Sequence, residues 1–525
     1  MGSDGRMLEI ESKDIAHPAV LSRPDPLMVA EAQRMESWTA LDPVTRRAQG
    51  QYFTPAALAV FIAGQLRLVA PTCDRVRILD PGAGVGSLGV ALLQRFAAEL
   101  PGARLHLTAV ELDPKVLPAL GKTRNAALAW AGERGIDLEF EIVHGDFIEW
   151  AAKNFGGLYE APDRFDYVIM NPPYAKVATG SRHRVLTAQA ACEVTNLYAA
   201  FVALAVEGLR EDGRLVAITP RSFTNGPYFK AFRRYLDERV AFESVDLFES
   251  RSTLFADTDV LQENVIYSLR RTCDRPATLQ VSFHGRKGEV ATVCMRYEDF
   301  MSSHDPQRFI HLRNGHRDHE VARRVNQLPC LLVDLGLSVS TGKVVDFRTR
   351  ENLLMRPQAG SVPLLYPQHL RRGLVTWPIE GKKPNALAVN ERTRSMLLPR
   401  GHYVAIKRFS SKEEKRRVTA TWVPADRFET DHVAFENHLN VIHRDNAGLD
   451  RDLAVGITLY VGSTTVDTYF RQFSGHTQVN ATDLRTLRFP EEQVLRKIGR
   501  HATTPETLSQ EEVDALVEKV VWGQG

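Results

Sequence analysis

Cysteine is scarce in this sequence, and the few cysteines follow no pattern typical of a metal site. The 525 residues include five cysteines, and no two of them form a Cys-x-x-Cys pair. An odd and dispersed set argues for a reducing compartment and against a structural zinc site. We therefore expect no bound metal.

Long apolar runs and an excess of one charge are missing as well. No segment approaches the roughly 18 uninterrupted apolar residues of a membrane span, and no signal-peptide core is present. The 66 basic residues face 64 acidic ones, so the net charge is only +2. A charge this small does not by itself indicate a nucleic-acid-binding protein, and any basic surface must be local. We expect a soluble cytoplasmic protein with no membrane partner.

The length of the chain exceeds what one hydrophobic core usually supports. Strands and helices alternate from about residue 46 to residue 271, and the alternation is lost after Arg270 and Arg271. We predict an N-terminal extension over 1–45 with one helix near Val29–Trp38, an α/β domain over 46–272 and a second, mixed α+β domain over 273–525.

The tetrapeptide Asn171, Pro172, Pro173 and Tyr174 follows a short apolar run and is the most informative motif in the chain. The run predicts a buried strand, and two prolines fix the backbone directly after it. The Asn oxygen and a Pro carbonyl can accept both N–H bonds of a planar amino group while the Tyr ring stacks on its face. The alternative is an ordinary turn with a core tyrosine.

A glycine-rich loop follows the strand that ends in Asp80 and contains Gly82, Gly84 and Gly86 before the next helix. Strand, glycine loop and helix allow a backbone to approach a nucleotide-like ligand closely. A dinucleotide phosphate site is the rival hypothesis. The Asp80 carboxylate disfavours a phosphate site, because a negative charge would repel a pyrophosphate and attract a cationic amino-acid group.

Polar or aromatic residues also end the next strands. Glu111 follows the second strand, where a carboxylate can accept hydrogen bonds from a ribose diol, and Asp146 and Phe147 follow the third. Asp146 can accept from an exocyclic amine while Phe147 lies against a purine. Four successive strands thus end in such residues, at the edge where an open α/β sheet binds its ligand.

Upstream, we expect Thr54 to cap a helix that has Pro55 at its first position, and downstream we expect 175–191 to be a mobile loop.

Over residues 50–270 the order of these motifs resembles the gamma-class adenine-N6 DNA methyltransferases, which use S-adenosylmethionine. The resemblance implies a Rossmann-like methyltransferase domain followed by a DNA target-recognition domain. It also implies the role of each site residue. For the cofactor, the resemblance implies that the methionine part is surrounded by Thr54, Asp80, Gly82 and Gly84, that Glu111 holds the ribose, and that Asp146 and Phe147 hold the adenine. For the target base, it implies that Asn171 and Pro172 bind the amine, that Tyr174 stacks on the flipped base, and that Phe255 supplies a second aromatic ring against that base.

The second half contains two polar stretches that predict contacts with DNA. Lys407 and Arg408, interleaved with Tyr403 and Phe409, suit a surface that contacts phosphates, and an exposed hairpin with a solvated charge run is the alternative. Residues 469–485 include His476, Gln478 and Asn480, which can bond base edges or phosphates. Thr482 could equally cap the helix that follows, and 506–521 predicts an amphipathic helix.

The second half is similar to that of the PstI/BsuBI branch of restriction–modification methyltransferases, in which it recognises DNA. The resemblance extends from about residue 45 to about residue 490 and implies a cognate restriction endonuclease as functional partner. A protein-glutamine methyltransferase and an RNA adenine-N6 methyltransferase are the alternatives. A catalytically inactive DNA-binding module is rejected, because Asp80, Glu111, Asp146 and Asn171 are all present. The sequence does not set the oligomeric state and is compatible with a monomer.

Overall fold

The structure is a computed structural model, and it describes ten ranges of the chain. They are 24–40, 53–69, 75–156, 164–248, 264–285, 288–312, 316–371, 374–410, 414–473 and 478–523. Within these ranges no helix has the length and apolar character needed to cross a bilayer. The same ranges contain no group of His, Cys, Asp or Glu side chains that could hold a metal ion.

A nine-stranded sheet organises the first part of the chain. Its strands are β1 Arg75–Pro81, β2 Arg104–Glu111, β3 Leu138–His144, β4 Phe165–Met170, β5 Leu209–Pro220, β6 Val240–Phe248, β7 Asn264–Arg271, β8 Thr278–His284 and β9 Val290–Arg296. They lie in the order β3-β2-β1-β4-β5-β7-β6-β8-β9. The first five strands are parallel, and β7 runs antiparallel between β5 and β6. This is an α/β, Rossmann-like sheet, as the sequence predicts.

Helices pack against this sheet and enclose two apolar cores. They are α1 Pro26–Ala40, α2 Ala56–Gly64, α3 Ser87–Glu99, α4 Leu117–Glu133, α5 Phe147–Phe155, α6 Arg182–Ala190, α7 Leu197–Gly208, α8 Lys230–Arg239 and the short α9 Tyr297–Phe300. All six residues of β4 are buried, as expected for a central parallel strand that is covered on both faces. Helix α7 is apolar and almost entirely buried, so it lies inside the core.

The second part of the chain combines small sheets with a helical cluster. Its strands are β10 Ser338–Thr341, β11 Leu353–Leu354, β12 Ser361–Leu365, β13 Leu370–Arg371, β14 Leu374–Val375, β15 Ala386–Ala388, β16 Leu398–Pro399, β17 Tyr403–Lys407, β18 Ala420–Val423, β19 His432–Phe435 and β20 Leu439–His443. Its helices are α10 His316–Asn326, α11 Asp346–Thr349, α12 Arg451–Val461, α13 Thr464–Phe473, α14 Ala481–Thr486, α15 Glu492–His501 and α16 Gln510–Trp522. Strands β10, β20, β17 and β18 form an antiparallel sheet, and β11, β15, β12, β19 and β16 form a mixed one.

Strands β8 and β9 lie beyond residue 272, the predicted end of the first domain, yet they pair with the first sheet. The core of that sheet also includes residues as far along the chain as Leu312. The division into domains stays a prediction, and these residues belong structurally with the first sheet.

The stretch 175–191 is not the loop that the sequence suggested. Residues Arg182–Ala190 form helix α6, which Ser181 caps by accepting a hydrogen bond from the Arg184 N–H group. The side chain of Arg184 also pairs with Glu193. The polar composition reflects a helix that lies on the surface of the site, where only Thr187 is fully buried.

Candidate active site

A cavity of about 510 Å³ lies at the carboxyl ends of β1, β2, β3 and β4. Its size falls within the roughly 300–1,000 Å³ typical of small-molecule sites. Parallel strands bring their carboxyl ends to one edge, so residues far apart in sequence meet there. Of the residues singled out from the sequence, the cavity is lined by Gly82, Gly84, Glu111, Asp146, Phe147, Asn171 and Pro173.

The loop after β1 approaches the cavity with its backbone. Gly82 and Gly84 have φ angles of +71° and +57°, a backbone conformation that residues other than glycine rarely adopt. A Cβ atom on Gly84 would lie 3.1 Å from the Phe53 ring. The N–H group of Gly84 donates a 2.8 Å hydrogen bond to Glu111 Oε2, which ties the loop to the end of β2.

Glu111 is a buried carboxylate on the wall of the cavity, with 6% of its surface exposed. Its Oε1 accepts a 2.8 Å bond from the Asp113 N–H group, and Oε2 accepts the bond from Gly84. Burial raises the pKa of Glu111, and these two backbone donors partly oppose the rise. Each oxygen has a second lone pair, so the group can still accept from a diol.

Asp80 lies below the loop and is not among the residues that line the cavity. It is 1% exposed, and its Oδ2 accepts a 2.9 Å bond from the Gly89 N–H group in the first turn of α3. Burial, opposed by the bond from Gly89 and assisted by the nearby Glu111 charge, raises the pKa of Asp80 to about 7. This geometry lets Asp80 hold the loop and α3 together, and direct contact with a cofactor stays a prediction.

Asp146 and Phe147 begin helix α5 at the end of β3. Asp146 caps the helix, since its Oδ1 accepts from the Glu149 N–H group at 3.0 Å. Its Oδ2 lies 3.0 Å from His183 Nε2, on helix α6. Phe147 is buried and packs against Phe201, with ring centroids 4.9 Å apart. The acidic group and the apolar ring thus lie side by side on the cavity wall, as a purine site requires.

The tetrapeptide after β4 forms a hydrogen-bonded unit at the edge of the cavity. The Tyr174 hydroxyl donates to Asn171 Oδ1 at 3.1 Å and lies 3.5 Å from the Ile218 carbonyl oxygen. Pro172 is buried, whereas Pro173 lines the cavity. The ring of Tyr174 is edge-on to that of Tyr198, with centroids 6.4 Å apart. Tyr174 is half-buried and packs against the core of the sheet, so its role in base stacking stays a prediction beside the alternative of a core tyrosine.

Thr54 does not cap helix α2, contrary to the sequence prediction. The helix begins at Ala56, Pro55 occupies the cap position, and the Ala56 N–H group donates to Glu31 instead. The Thr54 hydroxyl accepts a 3.1 Å hydrogen bond from Asn171 Nδ2. Thr54 is therefore joined to Asn171 of the tetrapeptide, and it is not among the residues that line the cavity.

Phe53 and His183 are among the residues of the cavity wall that were not singled out from the sequence. Phe53 packs over the glycine loop, and His183 pairs with Asp146. Phe53 directly precedes Thr54, so its position beside a site residue was an available signal. His183 carried no usable signal, because only the folding of 182–190 into a helix brings it to the cavity.

The predicted phosphate-contacting surface in the second half is only partly exposed. Phe409 is 43% exposed and packs on His438 at 4.9 Å between centroids. The guanidinium of Arg408 donates to the Asn437 carbonyl at 3.3 Å and to Gln478 Oε1 at 3.4 Å. Lys407 is half-buried at the end of β17. Arg408 and Gln478, 70 positions apart in the sequence, are thus brought together.

Several residues of the same stretch are structural rather than exposed. Tyr403 is fully buried, and its hydroxyl donates to the Pro399 carbonyl. Arg417 is 0% exposed and donates to the carbonyl oxygens of Ser410 and Gln478. Tyr403 and Arg417 therefore belong to the interior, and contact of Lys407 and Arg408 with phosphates stays a prediction.

Asn480 takes the cap position that the sequence allowed for Thr482. Helix α14 begins at Ala481, and the Asn480 N–H group donates to Asp483 Oδ2 at 2.8 Å. Burial raises the pKa of Asp483 to about 6, against the opposing hydrogen bonds from Asn480. Asn480 has a structural role here, and its contact with DNA stays a prediction. Phe255 and His476 lie outside the described residues.

Comparisons with known proteins identify the family of the chain. Residues 121–255 match the family model described as Eco57I restriction-modification methylase. Type II methyltransferase M.BsuBI of Bacillus subtilis is 40% identical over 479 residues, which cover 90% of this chain and 94% of that protein. Type II methyltransferase M.PstI of Providencia stuartii is 38% identical over 496 residues, 94% of this chain and 96% of that protein.

A shorter match is found with tRNA1(Val) (adenine(37)-N6)-methyltransferase of Salmonella arizonae. It is 33% identical over 162 residues, which cover 30% of this chain and 56% of that protein. The two longer matches cover 90% and 94% of this chain, whereas this one covers 30%. Because similarity to M.BsuBI and M.PstI extends over nearly their whole length, the chain belongs to the type II DNA methyltransferases of restriction–modification systems.

Proposed function

We propose that the chain moves the methyl group of S-adenosylmethionine to the N6 amino group of an adenine flipped out of double-stranded DNA. Methylation at one short sequence would protect host DNA from a cognate restriction endonuclease. The methyltransferase would therefore act in the cytoplasm, where that DNA is. The observation that carries the proposal is the Asn171 carboxamide, held at the edge of a cavity that already has an acidic and an aromatic wall.

The residues of the cavity fit S-adenosylmethionine. Glycines at positive φ bring backbone against one side, and a Cβ on Gly82 would lie 3.4 Å from Phe201 on the wall. Glu111 can accept from ribose hydroxyls, and Asp146 can accept from an adenine amine beside the Phe147 ring. When bound, the cofactor supplies a methyl group on a positively charged sulfur.

The contribution of the chain is to bind and orient the target amine. The lone pair of an aromatic amine is delocalised into its ring, so the amine is a poor nucleophile. Two N–H bonds directed at Asn171 Oδ1 and the Pro172 carbonyl favour a pyramidal nitrogen whose lone pair faces the cavity. Positioning and electrostatics then supply most of the acceleration, and no strong base is needed before the methyl group moves.

Base flipping makes the amine accessible. Extruding an adenine from the duplex costs a few kcal/mol, and stacking on the Tyr174 ring recovers about 1–3 kcal/mol of it. Arg408, Lys407 and Gln478 in the second half are the residues proposed to contact the DNA around the flipped base. RNA adenine and protein glutamine are disfavoured as targets, because the relatives that match along the whole chain are type II methyltransferases.

Methylome mapping tests the proposal directly. The protein is expressed in a host without DNA methylation, and N6-methyladenine is mapped by single-molecule sequencing, with Asn171→Ala and Tyr174→Ala variants alongside. We expect one short motif to be methylated by the native protein and unmodified with Asn171→Ala. An unmodified genome in the presence of folded protein that binds S-adenosylmethionine would refute the proposal.

A further inference from the structure

The proposed reaction requires the Asn171 carboxamide to face the target amine with its oxygen and not with its nitrogen. Both N–H bonds of the amine are donors, and the carboxamide NH₂ group is a donor as well. A carboxamide rotated by half a turn would therefore place donors against donors at the reacting nitrogen. The carboxamide must therefore be held in place with its oxygen toward the amine.

In the structure two hydroxyl groups, one on each side, hold the plane of the carboxamide. Asn171 Nδ2 donates to the Thr54 hydroxyl at 3.1 Å, and on the other side the Tyr174 hydroxyl donates to Oδ1 at the same distance. A carboxamide oxygen can accept two hydrogen bonds, so Oδ1 can accept from Tyr174 and from a target amine. Thr54 is 7% exposed, so water does not readily replace its hydroxyl as the partner of Nδ2.

We propose that Thr54 is a positioning residue that holds the Asn171 carboxamide in place at the edge of the cavity; this inference rests on the proposed function. It differs from the cofactor contact that the family resemblance implied, since Thr54 bonds the catalytic amide and is not among the residues that line the cavity.

The neighbouring Phe53 adds a structural link. Its ring packs against Gly84 of the loop after β1, and its chain neighbour Thr54 bonds Asn171 after β4. One short segment before α2 therefore touches both the proposed cofactor loop and the catalytic motif. Any displacement of this segment would reach the methyl-transfer site through the Thr54 hydroxyl.

Thr54→Val tests the proposal, because valine keeps the shape of threonine and removes the acceptor. We expect kcat to fall about 10- to 100-fold, the range that small misplacements of reacting groups produce, with the KM for DNA within about threefold of the native value. Thr54→Ser keeps the hydroxyl and should restore kcat. Thr458→Val is the matched control, since Thr458 is 6% exposed and bonds only within α12.

Two measurements that do not depend on turnover separate the outcomes. Calorimetric titration with S-adenosylmethionine and the fluorescence of 2-aminopurine at the target position should both be unchanged by Thr54→Val. A native kcat in Thr54→Val, or weakened cofactor binding that accounts for the whole loss, would overturn the positioning role and leave the proposed function intact. Native protein that methylates no DNA would refute the proposed function, and the positioning role would fall with it.

Discussion

The sequence predicted site contacts in two regions: polar residues at the carboxyl edge of the first sheet, and basic residues in the second half. In the structure, the side chains of the two regions differ in where they lie. Glu111, Asp146 and Asn171 all lie on the wall of one cavity. In the second half, by contrast, Arg417 is buried and bonds only protein groups among its described contacts, whereas Arg408 lies near the surface.

The difference arises from how each region brings residues together. Parallel strands direct their carboxyl ends to one edge, so a residue that ends such a strand must lie near the site. The short strands and long connections of the second half impose no such rule. There a basic side chain is as readily a partner for backbone carbonyls as a contact for phosphate, and composition does not separate the two roles.

Asn171→Ala should show the largest effect in the first region. Loss of the group that accepts from the target amine should lower kcat about 10²- to 10³-fold, as loss of one preorganised hydrogen-bonding group typically does. S-adenosylmethionine affinity should remain within about threefold, since two carboxylates and the glycine loop are unchanged. Single-turnover methylation of duplex DNA measures the first quantity and calorimetry the second.

The control for that variant is Asn125→Ala on the exposed face of α4. It should retain native turnover and cofactor affinity. Turnover close to native in Asn171→Ala would remove the tetrapeptide from the chemistry and with it the contrast between the two regions.

Glu111→Gln should weaken cofactor binding with a smaller effect on the maximal rate. Glutamine has one accepting oxygen in place of two, and a hydrogen bond to a charged group contributes about 1.5–3 kcal/mol, which corresponds to a roughly 10- to 100-fold rise in Kd. Calorimetric titration with S-adenosylmethionine measures the change. Glu139→Gln, on the neighbouring β3 and largely exposed, is the control and should bind the cofactor with native affinity.

Arg408→Ala and Arg417→Met, compared side by side, test the division within the second half. Loss of Arg408 should weaken DNA binding modestly and reduce the slope of log K against log salt by about 1, as loss of one phosphate contact does. Arg417→Met should instead lower Tm, because it leaves the carbonyl oxygens of Ser410 and Gln478 without their buried donor. Fluorescence anisotropy at several salt concentrations and thermal unfolding measure the two quantities.

Arg392→Ala provides the surface control, since that side chain is 83% exposed and only loosely paired with Glu351. Neither its salt slope nor its Tm should change measurably. If Arg417→Met reduced the salt slope and kept the native Tm, the assignment of Arg417 to the interior would be contradicted.

Much of the first half followed from periodicity and strand-end residues, including strands β1 to β5, helices α3, α4 and α7, and the positions of Glu111, Asp146 and Asn171. The failures concern side chains whose partners are distant in sequence. Thr54 suits a helix cap by local rules, yet Asn171 provides its hydrogen bond and Glu31 provides the acceptor for the helix. Helix α6 was missed because its polar residues lack an apolar stripe, so no period marked it.

Asp80 allows the finest test of the first region, because its carboxyl group is held below the loop and is proposed to act there structurally. Burial raises its pKa from 3.8 to about 7, so the folded state retains a proton that the unfolded state has already lost. The folded state therefore binds more protons between about pH 4 and pH 7, and the Asp80 contribution to stability falls as the pH rises through that range.

Asp80→Asn removes this titration and keeps an oxygen that can accept from the Gly89 N–H group. Between about pH 4 and pH 7 the Tm of the variant should rise relative to that of the native protein, and above pH 7 the difference should stay constant. In the free energy of unfolding, this change amounts to at most about 1.4 kcal/mol per pH unit. Thermal unfolding at half-unit pH intervals measures the shift. A Tm difference that stays constant from pH 4 to pH 8 would mean that folding does not raise the pKa of Asp80, and its burial under the glycine loop would then require a cationic partner in place of a retained proton.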